Sequence, residues 1–205
     1  VSAAANFVKR LSYKKLQVLS DGESAIVLLL EEMKALLLKD NVEVDLSHSP
    51  IYSSASLGAV GKMQDMIAKQ VRCLRSSFKS RYKFELEVAH DVYTWAPRHA
   101  AWQLERFHVR SNGRTAYQDC FMVDYRGEVL QFAETAVFRH SFNRAGRNTK
   151  GKRSQKADLY HEKGIRVGRT YDTNEHLMAT PNGVFTTRTV RRLPRDQQAD
   201  AELYK

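Results

Sequence analysis

The chain has 205 residues but only two cysteines and four prolines, and no apolar run approaches the roughly 20 residues of a membrane span. Leu28, Leu29 and Leu30 sit among Glu31, Glu32 and Lys34, which places them on an amphipathic helix. The first residues lack the pattern of a signal peptide, and Val1 in place of Met is the start expected of a fragment or a processed piece. Cys73 and Cys120 fit no metal spacing such as Cys-x-x-Cys, so both read as structural thiols in a reduced, intracellular protein. No internal repeat at solenoid spacing is present. With 42% hydrophobic residues, the chain can bury one good core, or one domain with a small satellite.

Charge is unevenly placed. Residues 1–138 hold 18 Lys and Arg against 16 Asp and Glu, whereas residues 139–205 hold 15 against 7. Within that last third, Arg139, Arg144, Arg147, Lys150, Lys152, Arg153 and Lys156 follow one another without an acid. Such a stretch repels itself and buries nothing. It reads either as a solvated connector or as a phosphate-binding arm that releases counterions from a nucleic acid backbone. It lacks the interleaved aromatics that would stack on bases.

Hydrophobic spacing organises the rest. Leu16 and Val18 share one face of a short strand over 15–19, and Ser20, Asp21 and Gly22 break it. Glu23 is expected in the first turn of the next helix, where a negative charge suits the dipole. Ile26, Leu29, Leu30, Met33 and Leu37 mark that helix's buried stripe. Val42, Val44 and Leu46 alternate as a strand. Gly58 opens a longer helix with Val60, Met63, Ile67, Val71, Leu74 and Phe78 inward. Its Lys62, Lys69, Arg72, Arg75 and Lys79 lie largely off that stripe and make a basic outer side. A third helix is expected over 95–107, limited at its start by Pro97. Trp102 and Phe107 read as core, and His99 as packed or surface rather than catalytic. The stretch 111–127 reads as a connector. Beyond it, 136–138, 165–168, 176–180 and 184–190 read as strands, with a hairpin turn at Pro181, Asn182 and Gly183. Four or five short strands within about eighty residues point to a small antiparallel barrel or meander.

The ordered segments Ser20-Asp21-Gly22-Glu23 and Ser54-Ala55-Ser56-Leu57-Gly58-Ala59-Val60-Gly61-Lys62 resemble copia-type retrotransposon integrases. So do Arg72-Cys73-Leu74-Arg75, and His99-Ala100-Ala101-Trp102 with Arg106-Phe107. Gly113-Arg114-Thr115-Ala116-Tyr117, Gln131-Phe132-Ala133-Glu134, Gly164-Ile165-Arg166-Val167-Gly168 and Thr189-Val190-Arg191-Arg192-Leu193-Pro194 continue the match to the end of the chain. The resemblance implies an α/β fold: a partial RNase H-like core over 1–110, a connector over 111–127, and a small antiparallel β-barrel or SH3-like module over 128–205. It also implies DNA as a sequence-independent partner, Mg²⁺ as cofactor, possible self-association, no membrane, and a nuclear setting.

Such enzymes join DNA with two divalent ions, roughly 3.5–4 Å apart, held by three carboxylates. Asp21 stands at one family position and Gly61 stands where a metal-binding Glu belongs, while no acid precedes Asp21. Asp65 is one helical step farther along, displaced by roughly 6 Å. Glu23 and Asp45 read as helix-start and strand-surface charges. The expected metal set is therefore Asp21 alone. Nucleic acid binding is expected from the seven residues between Arg139 and Lys156, with Arg188, Arg191, Arg192 and Arg195, extended by Lys69, Arg72 and Lys79. Two alternatives stand beside this reading: a catalytic subunit completed by carboxylates of another chain, and a basic α+β interaction protein.

Overall fold

The computed structural model describes residues 1–20, 22–49, 58–140, 161–171 and 173–204. The chain forms two compact units, Val1–Met66 and Ile67–Lys205. The division falls inside a helix, upstream of the connector expected over 111–127.

In the first unit the order is α1 (Ser2–Arg10), β1 (Lys15–Ser20), α2 (Ser24–Leu38), β2 (Glu43–His48) and the start of α3 (Gly58–Tyr82). The two strands run parallel, with Lys15 opposite Glu43 and Ser20 opposite His48. A parallel pair needs a crossover, and α2 supplies it. Ala5, Leu30, Met33, Leu37, Val42 and Val44 form the core, with Leu16, Val18, Ile26 and Leu46 against it. Of the leucine run, Leu30 is buried, whereas Leu28 is 72% and Leu29 43% exposed. The stripe expected to include Leu29 is thus narrower, because a helix on a two-stranded sheet meets little more than one row of side chains. Glu23 is the residue before α2 rather than part of its first turn.

The second unit contains the rest of α3, α4 (Asp91–Thr94), α5 (Ala96–Phe107), α6 (Ala116–Phe121), five strands and α7 (Ala201–Tyr204). The strands are β3 (Thr135–Arg139), β4 (His161–Arg169), β5 (His176–Thr180), β6 (Gly183–Thr187) and β7 (Val190–Arg192). They pair antiparallel in the order β6-β5-β4-β3-β7. The fold is therefore mixed α/β with an antiparallel sheet. Among the described residues the sheet stays open, with β6 and β7 at its two edges, and the expected barrel does not close. The 184–190 run, expected as one strand, is split. Thr187 is buried and its hydroxyl donates to the Arg139 carbonyl at 2.6 Å, turning the chain from one edge strand to the other.

One core joins Val71, Leu74, Phe78 and Tyr82 of α3 to Ala96 and Ala100 of α5, and to Ile165, Val167 and Leu177 of the sheet. Phe78 stacks on Tyr82 at 4.3 Å, and the Tyr82 hydroxyl donates to the Ala133 carbonyl at 2.9 Å. Leu130, Ala136, Phe138 and Met178 form a second cluster. The α3 stripe is buried only from Val71 onward, since Val60 and Met63, expected inside, are 53% and 49% exposed. Trp102 is buried as expected and Phe107 is 47% exposed. Both cysteines are free and exposed. The connector holds an unforeseen helix, α6, whose capping box pairs Thr115 and Gln118 with each other's backbone N–H. No helix among the described residues is long and apolar enough to cross a membrane.

Candidate nucleic-acid interface

The basic stretch joins β3 to β4, and its anchor points are well defined. Arg139 closes β3 opposite His161, the first residue of β4. Directly opposed residues of antiparallel strands point to the same face. Val137 is opposite both Lys163 of β4 and Arg191 of β7, so Lys163, Arg191 and, two residues along, Arg139 share one face. All three side chains are exposed. The same face carries Ile165 into the core toward the other end of β4. It therefore changes along the strands from apolar packing to a positive end. Lys163 reaches Asp200 at 3.7 Å, a loose exposed pair of little energetic weight. Arg144, Arg147, Lys150, Lys152, Arg153 and Lys156 lie outside the described residues.

Other expected phosphate contacts are differently placed. Arg192 points to the opposite face and is held by the fully buried Glu134, with Nε to Oε1 at 2.7 Å and Nη2 to Oε2 at 2.8 Å. This bidentate pair engages the guanidinium and withdraws Arg192 from the set of available cations. Arg188 bonds Glu175 at 2.8 Å but stays largely exposed, and Arg195 is exposed. On α3, Lys69 and Arg72 are exposed, while Lys79 pairs with Glu85 at 2.7 Å. Arg75 is half-buried against Tyr93, its guanidinium 5.9 Å from the ring centre.

Four more arginines are taken from the surface altogether or in part. Arg166 is fully buried, Arg106 and Arg169 are nearly so, and Arg81 is half-buried with its guanidinium on the Phe132 carbonyl. Burial, and then the neighbouring Arg169, push the Arg166 guanidinium down to about 10, which leaves it charged at neutral pH. His99 and His176 are held neutral, each pushed down to about 3 by burial and the nearby arginines. A sequence count treats these arginines like any others; no motif separates them.

The integrase-like positions sit in the first unit. The strands β1 and β2 end side by side at Ser20 and His48, whose Oγ and Nδ1 are 2.9 Å apart. Gly22 follows with φ +79, a left-handed turn that glycine adopts without strain. Asp21, between them, lies outside the described residues, as do Ser53 to Leu57. Gly61 is in the first turn of α3, and no described atom lies within 4 Å of where its Cβ would stand. Asp45 is engaged by Lys15 at 3.3 Å. The described donors at these strand ends are a hydroxyl and an imidazole bonded to each other, a poor match to the carboxylate oxygens that Mg²⁺ requires. Among the described residues no three His, Cys, Asp or Glu side chains are grouped to hold a metal ion. A comparison of the chain with protein-family models, curated proteins and solved structures finds no match.

Proposed function

We propose that this chain is an integrase-like piece of a copia-type retrotransposon polyprotein that binds DNA without sequence preference in the nucleus. In this reading residues 1–110 are a partial RNase H-like core, and the antiparallel sheet belongs to an SH3-like module over 128–205. The observation that supports it most is the shared exposure of Arg139, Lys163 and Arg191 on the sheet face flanking the acid-free stretch. A positive sheet end beside a further run of cations suits a phosphate backbone, and the absence of a base-reading motif makes the contact sequence-independent. Catalysis is not part of the proposal. Gly61 brings no oxygen to a site that needs several, so the chain alone neither processes nor joins DNA ends.

The test is a salt titration of duplex DNA binding. If about five phosphates are engaged, log affinity falls against log salt with a slope near −4 to −5. Replacing Lys150, Lys152, Arg153 and Lys156 by Gln flattens that slope by a few units while circular dichroism stays unchanged. An unaltered slope in a folded variant makes the stretch a solvated connector. Strand transfer by the unmodified chain in Mg²⁺ or Mn²⁺ would refute the loss of catalysis.

A further inference from the structure

Two buried arginines of the second unit converge on one aromatic residue. Trp102, in the middle of α5, has the Arg106 guanidinium 4.9 Å and the Arg166 guanidinium 5.5 Å from its ring centre. His99 stacks on the same indole at 5.6 Å, and Tyr125 meets it edge-on at 5.5 Å. Arg169, three residues beyond Arg166 on β4, holds His176 of β5 at 3.0 Å through Nη2 and Nε2. The group is drawn from α5, β4 and β5, so the fold rather than any local motif assembles it.

Its hydrogen bonding is incomplete. Arg166 gives Nη1 to the Leu130 carbonyl, and Arg169 gives Nη1 and Nη2 to the carbonyls of Asn174 and Glu128. Arg106 gives Nη1 to Glu105 at 2.7 Å and, weakly, to the Trp102 carbonyl. Among the described residues no partner is found for Arg166 Nε and Nη2, Arg106 Nε, Arg169 Nε and Trp102 Nε1, nor for either ring nitrogen of His99 or Nδ1 of His176. Every one of these side chains is more than nine-tenths buried. Among the described residues, Glu105 is the one carboxylate bonded to any of the three arginines. Glu134 is committed to Arg192, and the Glu128 carboxylate acts on Arg166 and Arg169 through space. Buried donors are normally satisfied, and an uncompensated buried cation is among the costlier features a fold can carry.

We infer that Arg106 and Arg166, packed on Trp102, together with the neighbouring Arg169 bind a small tetrahedral oxyanion of phosphate chemistry. Planar guanidinium forks from two elements offer N–H groups along different directions, which a tetrahedral oxyanion can accept together. The indole N–H is a further unpartnered donor of the cluster, and burial in a low-dielectric interior strengthens each charged hydrogen bond. The inference is independent of the DNA-binding proposal, because the donors are interior and the basic stretch supplies none of them.

The probe is inorganic phosphate added to the full chain in a zwitterionic buffer, with thermal unfolding and the ³¹P line width as readouts. At about 10 mM phosphate, a site of roughly 0.1 mM affinity raises the melting temperature by about 5 °C over sodium chloride of equal ionic strength. Arg166→Met keeps the fold, since an apolar chain of similar length replaces an unmatched charge, and loses the phosphate response. Arg106→Gln, a second and gentler change, reduces that response. The Gln variant at Lys150, Lys152, Arg153 and Lys156 retains it. A wild-type shift no larger than that in chloride overturns the inference without any variant. Loss of the shift in the four-site variant also overturns it, by placing the anion on the surface. Excess duplex DNA is the last control. A surviving ³¹P effect supports the interior site, and its displacement overturns the inference by placing the phosphate on the DNA-binding surface.

Discussion

Acid should loosen the second unit through two histidines that ordinary inspection would dismiss as core. His99 is 1% and His176 3% exposed. Burial first, then Arg166, pushes His99 down to about 3. Burial first, then Arg169 and Arg166, does the same to His176. In the unfolded chain each titrates near 6.5. Between those values the unfolded chain takes up a proton at each site while the folded protein takes up none. Stability is therefore whole above about pH 6.5 and is lost progressively as pH falls toward about 3. From about pH 7 to about pH 5 the loss comes to roughly 2 kcal/mol for each histidine and about 4 kcal/mol for both. The assay is urea unfolding at the two pH values in phosphate-free buffer, for wild type, His99→Leu and His176→Gln. Each substitution should reduce the pH-dependent loss by about 2 kcal/mol at unchanged m-value, whatever it does to stability at neutral pH. A variant that keeps the full wild-type pH dependence would show that its histidine titrates normally, and the burial argument would fail.

Three further outcomes test individual features. Gly61→Ala should raise stability by about 0.5–1 kcal/mol in chemical denaturation, because the position is helical and no described atom crowds its Cβ; Gly61→Glu should leave strand transfer absent. Arg192→Met should cost about 3–5 kcal/mol, since it leaves unpaired the fully buried Glu134 carboxylate that the guanidinium grips at 2.7 and 2.8 Å. Urea midpoints of the single variants and of Glu134→Gln with Arg192→Met measure it, and the double variant should recover part of the loss. Thr115→Ala should cost about 1 kcal/mol and lower protection of the α6 amides from hydrogen exchange, because the hydroxyl caps the Gln118 N–H at 3.1 Å.

Local chemistry was largely legible in the residues. The strand over 176–180 emerges with the bounds that its spacing implies, and Thr180 pairs with Gly183 across Pro181 and Asn182 as the turn residues require. Helix α5 begins at Ala96, with Pro97 in its first turn, where a missing N–H does no harm. The α6 helix was missed although its signal was present: Thr115 followed three residues later by Gln118 is a capping box. The positive sheet end was half legible, since Arg139 and Arg191 stood out by charge while Lys163 did not. Only the register shows that the three share a face.

By itself the sequence determined the alternation of strand and helix, the turn positions and the concentration of positive charge in the last third. Those features depend on neighbours a few residues apart, where backbone sterics and side-chain spacing act directly. Tertiary structure alone decided that Leu30 is covered and Leu29 is not, and that β6 and β7 stand at opposite edges of an open sheet. It also decided that Arg106 and Arg166 lie inside against Trp102 and that Arg169 is buried, while Arg139 and Arg191 are exposed. Guanidinium groups are alike in composition and in charge count. Whether one meets solvent, a carboxylate or another arginine depends on which strands and helices close over it, and residues far apart in the chain set that.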